Sequence, residues 1–286
     1  MQAAVRAVFL AAILGLLSSA AQVRLRSILK RRRLLIWILP PALAAAFAGA
    51  ALIVNAFSLP LTLLVLAYAA LPVACICLLP PSLDLIAVLS LWLPIEFAAG
   101  AALVPRPAQG IQHSVAYGIA ILLGLTIFLG YRNLDGMKYN LPRRKSDFWL
   151  PLAAFAVAAP ILILVGIPIS FISPPHLPVP SAGRMAAAVG LIFVGTALPE
   201  EILFRALIQN LLMQRFGATE RTLILASVVF GAAHLDNGPQ PLPNWRYMIL
   251  ASIAGYAYGK VFQKANTVLS SAALHMLVDW TKHFFF

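Results

Sequence analysis

The segment "TALPEEILFRALIQ", residues 196–209, sets Glu200, Glu201 and Arg205 inside an otherwise apolar run. Two later apolar runs carry the same kind of intrusion: "SVVFGAAHLDN" holds His234, and "ALHMLVDW" holds His275 and Asp279. An ionisable side chain in hydrocarbon costs several kcal/mol unless it is paired or faces water, so each of these residues is a functional candidate. Helical spacing sorts them. Glu201 and Arg205 are four apart, on one face, in the glutamate-first order that favours an ion pair. Glu200 is turned by about 100° from Glu201 and points elsewhere. Phe230 with His234, and His275 with Asp279, share a face in the same way. Pro199 removes one backbone hydrogen bond just before Glu200 and predicts a kink there.

A glutamate, two histidines and an aspartate around water suit hydrolysis. Glu200 can take a proton from water as general base while His234 orients that water. His275 and Asp279 can steady the charge that develops on a carbonyl oxygen, through an imidazole N–H or a protonated carboxyl group. Arg205 then holds Glu201 and fixes the helix face. Water is the expected nucleophile, because no serine or cysteine stands with a histidine in a convincing arrangement. Counting about 1.5 Å per residue from the nearest basic residue puts Glu200, His234, His275 and Asp279 at roughly 16 to 22 Å depth, one level on three separate segments.

The elements that must position these groups are membrane helices. Of the 286 residues 62% are hydrophobic and 10% charged, with a mean hydropathy of +0.91. Apolar runs near the length needed to cross a bilayer recur along the chain, continuous rather than alternating, which excludes a β-barrel. The expected fold is an all-α polytopic transmembrane bundle of 8–10 spans, near residues 3–22, 34–55, 59–79, 84–104, 113–131, 148–172, 185–212, 222–236, 246–263 and 267–284. The polar linker "RNLDGMKYNLPRRKSD" separates a region 1–147 of unassigned role from a region 148–286 that concentrates the intramembrane polar residues. The first run ends in small residues like a signal peptide, but "RLRSILKRRR" directly after it favours a retained anchor.

The net charge of +12 does not point to nucleic acid, because the basic residues cluster at the ends of apolar runs. With the N-terminus outside, strict alternation places 15 of the 21 Lys and Arg on the cytoplasmic side. No internal repeat of the inverted-transporter kind is evident. Cys75 and Cys77 lie in an apolar run and predict no disulfide framework. Glu96, beside Pro94, reads as a bond to a neighbouring helix, and His113, His176 and His283 as interfacial groups. Trp245, Trp280 and the terminal "FFF" read as interfacial anchors.

"EEILFR" (200–205), "FGAAH" (230–234) and "HMLVD" (275–279) resemble, in order, the EExxxR, FxxxH and HxxxN/D motifs of the CAAX-protease and bacteriocin-processing membrane peptidases, a family that includes the type II CAAX prenyl endopeptidase. The resemblance covers about residues 150–286. It implies an intramembrane glutamic endopeptidase with no required metal or other cofactor, in which Glu200 and His234 activate water and His275 and Asp279 form the oxyanion site. Glu201 is grouped with these catalytic residues, and Arg205 and Phe230 of the same motifs are their structural support. It further implies a peptide or protein substrate, such as a lipidated or membrane-associated C-terminus, with membrane lipids as the other partners. Asp279 stands where the prenyl endopeptidase has asparagine, and an aspartate must be protonated to donate. The charge bias and compact loops point to a bacterial inner membrane.

Three other readings make different demands. A zinc peptidase would use Glu200, His234 and His275 as ligands, although no HExxH helix is present. A proton-coupled transporter would also hold Glu and His at mid-membrane but would cut no peptide. A scaffold would keep its partners when Glu200 or His234 is replaced.

Overall fold

The computed structural model describes residues 2–96, 111–175, 181–238 and 241–286, and every regular element among them is helical. The chain divides into two compact units, Met1–Asp135 and Gly136–Phe286.

In the first unit α1 (Gln2–Gly15) breaks at residues 16–18, and α2 (Ser19–Arg31) leaves it at 88°. A 3-10 turn, Arg33–Ile38, leads into α3 (Leu39–Ile53), followed by α4 (Leu59–Leu78), α5 (Asp84–Glu96) and α6 (Ile111–Leu125). A π-helical segment, Thr126–Tyr131, extends α6. The core is Phe47, Val65, Ala69, Val73, Val88, Ile119 and Leu123, all 1% exposed or less. The side chain of Glu96, the side chain of His113 and the whole of His176 lie outside the described residues, as does Arg106.

In the second unit α7 (Lys145–Gly166) precedes α8, a 35-residue helix from Ala182 to Phe216. Then come α9 (Glu220–Ala232), α10 (Trp245–Lys264) and α11 (Val268–Phe285). Thr219 caps α9 by accepting from the Thr222 N–H, and Asn244 caps α10 by accepting from Tyr247. Gly136 and Lys138, within the polar linker, open the second unit with positive φ angles of 77° and 52°. Lys138 Nζ then donates to the carbonyls of Phe262, Gln263 and Ala265, the orphan acceptors at the end of α10. Burial lowers its pKa, and the nearby Asp147 opposes that shift. Asp147 ties α7 to the α10–α11 turn by accepting from the backbone and side-chain N–H of Asn266. At Gly231 on α9 an added Cβ would collide with the Ser252 side chain and come 2.5 Å from the Met248 carbonyl, so the glycine is what lets α9 and α10 touch.

Each predicted span overlaps a helix, because runs this apolar satisfy their backbone only by coiling. Among the described residues four helices are long and apolar enough to cross a bilayer, or five if the bent pair α1 and α2 counts as one. One detail differs from expectation. The run 3–22 is a 14-residue helix followed by a sharp turn, since the basic residues after Gln22 cannot continue into hydrocarbon. Around Pro199 two π-helical stretches, Phe193–Ala197 and Ile202–Gln209, flank the four-residue α-helical turn that holds it, so the backbone leaves α geometry on both sides of the proline inside one continuous helix.

Candidate functional site

Glu201 and Arg205 are fully buried on α8, with Arg205 Nε 3.2 Å from Glu201 Oε2. Arg205 is fitted from several sides. Its Nη1 donates to Gln209 Oε1 at 3.4 Å, Gln209 in turn donates to the Gly259 carbonyl at 3.2 Å, and the guanidinium lies 4.8 Å over the Phe230 ring. Gly255 on α10 makes room for this stack, for a Cβ there would come within 2.9 Å of Phe230. Glu201 is held on both oxygens. Ser271 on α11 donates to Oε2, and His275 Nδ1 stands 3.1 Å from Oε1.

That last contact joins the ion pair to the rest of the site. Because Glu201 is paired with Arg205 and accepts, His275 Nδ1 carries the hydrogen. The other ring nitrogen, Nε2, faces Asp279 Oδ2 at 3.4 Å and Glu200 Oε2 at 3.8 Å. Both distances exceed an ordinary N–H···O bond, so Nε2 is approached by two carboxylates without being saturated by either. The side chains of Glu200 and Asp279 are 30% and 32% exposed, against none for Glu201, which separates the reachable carboxylates from the structural one. The His275 ring is stacked on Tyr258 at 4.5 Å and meets Phe230 edge-on at 5.8 Å.

His234, at the end of α9, places Nδ1 2.8 Å from the Phe230 carbonyl. A carbonyl only accepts, so in this hydrogen bond Nδ1 is protonated and the neutral ring keeps its lone pair on Nε2. Phe230 and Tyr247 wedge the ring edge-on at 4.8 and 4.5 Å. A cavity of about 80 Å³ is lined by His234, Tyr247, Tyr258, His275, Asp279 and Lys282 among apolar neighbours. That is room for more than one water. It shares Phe171, Tyr247, Asp279 and Lys282 with a larger cleft of about 730 Å³ reaching Ala188, Leu191 and Thr196 on α8.

Direct contacts connect Glu200, Glu201, Arg205, Phe230, His275 and Asp279, and Phe230 and the small cavity join His234 to His275 and Asp279; Glu200 does not line that cavity and is linked to it by His275. Four further groups carry no local signal as strong. Ser271 is four residues before His275, a spacing that puts it on the same face of α11; Tyr247, Tyr258 and Lys282 read as interface or core residues. Lys282 lies over the faces of Phe171 and Tyr247 at 4.4 and 4.7 Å. Trp280 is held inward by an N–H donated to the Met185 carbonyl at 2.8 Å, and Phe284 is buried, so the C-terminal aromatics serve packing as well as any interface. Among the described residues no group of three or more His, Cys, Asp or Glu has the placement to hold a metal ion.

Residues 182–281, which contain α8, α9, α10 and most of α11, match the family model described as type II CAAX prenyl endopeptidase Rce1-like, consistent with the CAAX-protease and bacteriocin-processing family. Neither a curated protein nor a solved structure matches the chain.

Proposed function

We propose that the second unit is an intramembrane endopeptidase that hydrolyses a peptide bond of a protein substrate with an activated water. The observation that carries this reading is the convergence on His275: carboxylates of α8 and α11 meet one imidazole, which shares a small cavity with His234. The family match over the same segment supports it.

In this reading a water in the cavity is held by the Nε2 lone pair of His234 and loses its proton to Glu200 as it attacks the carbonyl carbon. The oxygen of that carbonyl gains negative charge and is met by His275 Nε2 in its protonated form, whose distances to Asp279 and Glu200 leave it able to turn to a third acceptor. Asp279 orients the ring from the cavity side and Glu201 from behind. The proton on Glu200 then passes to the leaving amine, which closes the cycle without a covalent enzyme intermediate. Burial of Glu201 with Arg205 fixes the helix face that presents Glu200.

The substrate class we infer is a membrane-associated protein or peptide, lipidated or not, whose apolar part occupies the larger cleft beside the catalytic cavity. The test is incubation of purified protein with a peptide library, reading new termini by mass spectrometry. Wild type is expected to cut, and Glu200→Gln and His234→Ala to lose at least 100-fold in rate, of the order attributed to general-base groups. Undiminished cutting by Glu200→Gln would overturn the mechanism, and absence of any cutting together with substrate flux in vesicles would favour a transporter.

A further inference from the structure

The first 83 residues contain no Asp or Glu, yet they hold seven Lys and Arg, six of them between Arg24 and Arg33. Counter-charge for that cluster is scarce within its own unit, where Asp84 is engaged by Arg132 at 2.7 Å. The cluster is not a floppy loop. It rides on α2, which turns 88° from α1 and is fastened to the π-helical end of α6. Arg26 Nε donates to the Leu129 carbonyl at 2.8 Å, Arg33 lies 4.8 Å over the Tyr131 ring, and Leu25 and Leu29 press so closely on Gly130 that a Cβ there would come within 2.8 and 2.9 Å of them.

With Arg26 turned inward, the side chains of Arg24, Lys30, Arg31 and Arg32 remain exposed, with no side-chain hydrogen bond or ion pair among the described residues. Beside them Val23, Ile28, Leu34, Trp37 and Ile38 are exposed too, Leu34 at 81%. Exposed cations alone would suit any polyanion. Interleaved with bare aliphatic side chains and a tryptophan, they suit only a surface that offers phosphate and hydrocarbon a few ångströms apart. The 88° turn sets α2 across the direction of α1, the placement of a helix that lies along a bilayer surface into which α1 dips.

We propose that α2 and the turn after it, residues 19–38, form an in-plane docking surface for anionic phospholipid headgroups, with Arg24, Lys30, Arg31 and Arg32 as the phosphate contacts and Val23, Ile28, Leu34 and Trp37 entering the acyl boundary. Lipid binding here is independent of the catalytic reading.

The test uses the full chain, delipidated in a neutral detergent and offered phosphatidylglycerol or phosphatidylcholine with identical tails, with bound lipids counted by native mass spectrometry. Wild type is expected to prefer phosphatidylglycerol by roughly tenfold or more at low salt, and to lose most of that preference at about 0.5 M salt, as contacts at the membrane surface do. Arg24→Gln, Lys30→Gln, Arg31→Gln and Arg32→Gln together should bring the preference below about twofold, and the pair Arg24→Gln with Arg31→Gln to an intermediate value if the quadruple variant does not fold. A control that removes four exposed cations elsewhere, Arg143→Gln, Lys145→Gln, Arg221→Gln and Lys264→Gln, should keep it. Equal binding of both lipids by wild type, an unchanged preference in the α2 variants, an equal loss in the control, or displacement of phosphatidylglycerol by millimolar inorganic phosphate would each overturn the proposal.

Discussion

Each unit of this protein sets an arginine against a buried carboxylate, and the two pairs are finished in opposite ways. In the first unit Arg132 reaches Asp84 at 2.7 Å and also donates to the carbonyls of Ile76 and Leu79, at the end of α4. Asp84 begins α5, so the anion sits at a helix N-terminus and the cation at a helix C-terminus, where backbone dipoles favour each. The partners there are backbone groups, which do not titrate. In the second unit Glu201 and Arg205 lie in mid-helix, out of reach of helix ends, and are completed by side chains: Ser271, Gln209, two aromatic faces and His275. One of those partners is an imidazole whose far nitrogen opens toward a cavity and two more carboxylates. A pair closed by backbone is architecture; one closed by a titratable side chain is a mount for chemistry.

Replacing each arginine by methionine breaks the comparison open. Removing one partner of a buried pair leaves the other uncompensated, at a cost of about 3–5 kcal/mol. Both Arg132→Met and Arg205→Met should therefore lower the unfolding temperature in detergent. Only Arg205→Met should also depress peptide cleavage per folded molecule; equal catalytic damage from both would erase the distinction. His275→Gln keeps a similar size and should cost roughly 100- to 1000-fold in cleavage rate, as loss of an oxyanion donor does, with little change in stability. A variant that cuts normally would remove His275 from the chemistry.

Ser271→Ala is a finer probe. It removes one donor to a fully buried carboxylate and should lower stability by about 1–3 kcal/mol, with a cleavage rate reduced less than in His275→Gln. A neutral outcome would mean that Glu201 is held by Arg205 and His275 alone. The smallest effect concerns metals. Dialysis against chelators should leave cleavage unchanged, and a loss restored by zinc would revive the metallopeptidase reading in which Glu200, His234 and His275 are ligands.

How much of this was written in the residues depends on whether a feature is local. The helices were legible because uninterrupted apolar runs admit no other backbone solution in lipid. So were the faces shared by Glu201 with Arg205, Phe230 with His234, and His275 with Asp279, since four-residue spacing is a property of one helix. The contact between His275 and Glu201, 74 positions apart, had no such trace, and neither did the stack of Tyr258 on His275. As a result Glu201 read as a catalytic-motif residue paired with Arg205, with nothing to show that it also holds the imidazole. The turn after α1 was hidden for a related reason: a basic stretch says where a span ends, not that the chain continues as a fastened helix at 88° to it.

The most direct test asks whether Glu200 and His234 serve one water. Cleavage rates would be measured for Glu200→Gln, His234→Ala and the double variant on the same peptide. Groups acting as a unit are strongly non-additive, so the double variant should be no slower than the worse single one, within about threefold. Losses that multiply would mean two independent contributions, and a double variant that still cuts at the wild-type rate would end the proposal of a glutamate–histidine peptidase.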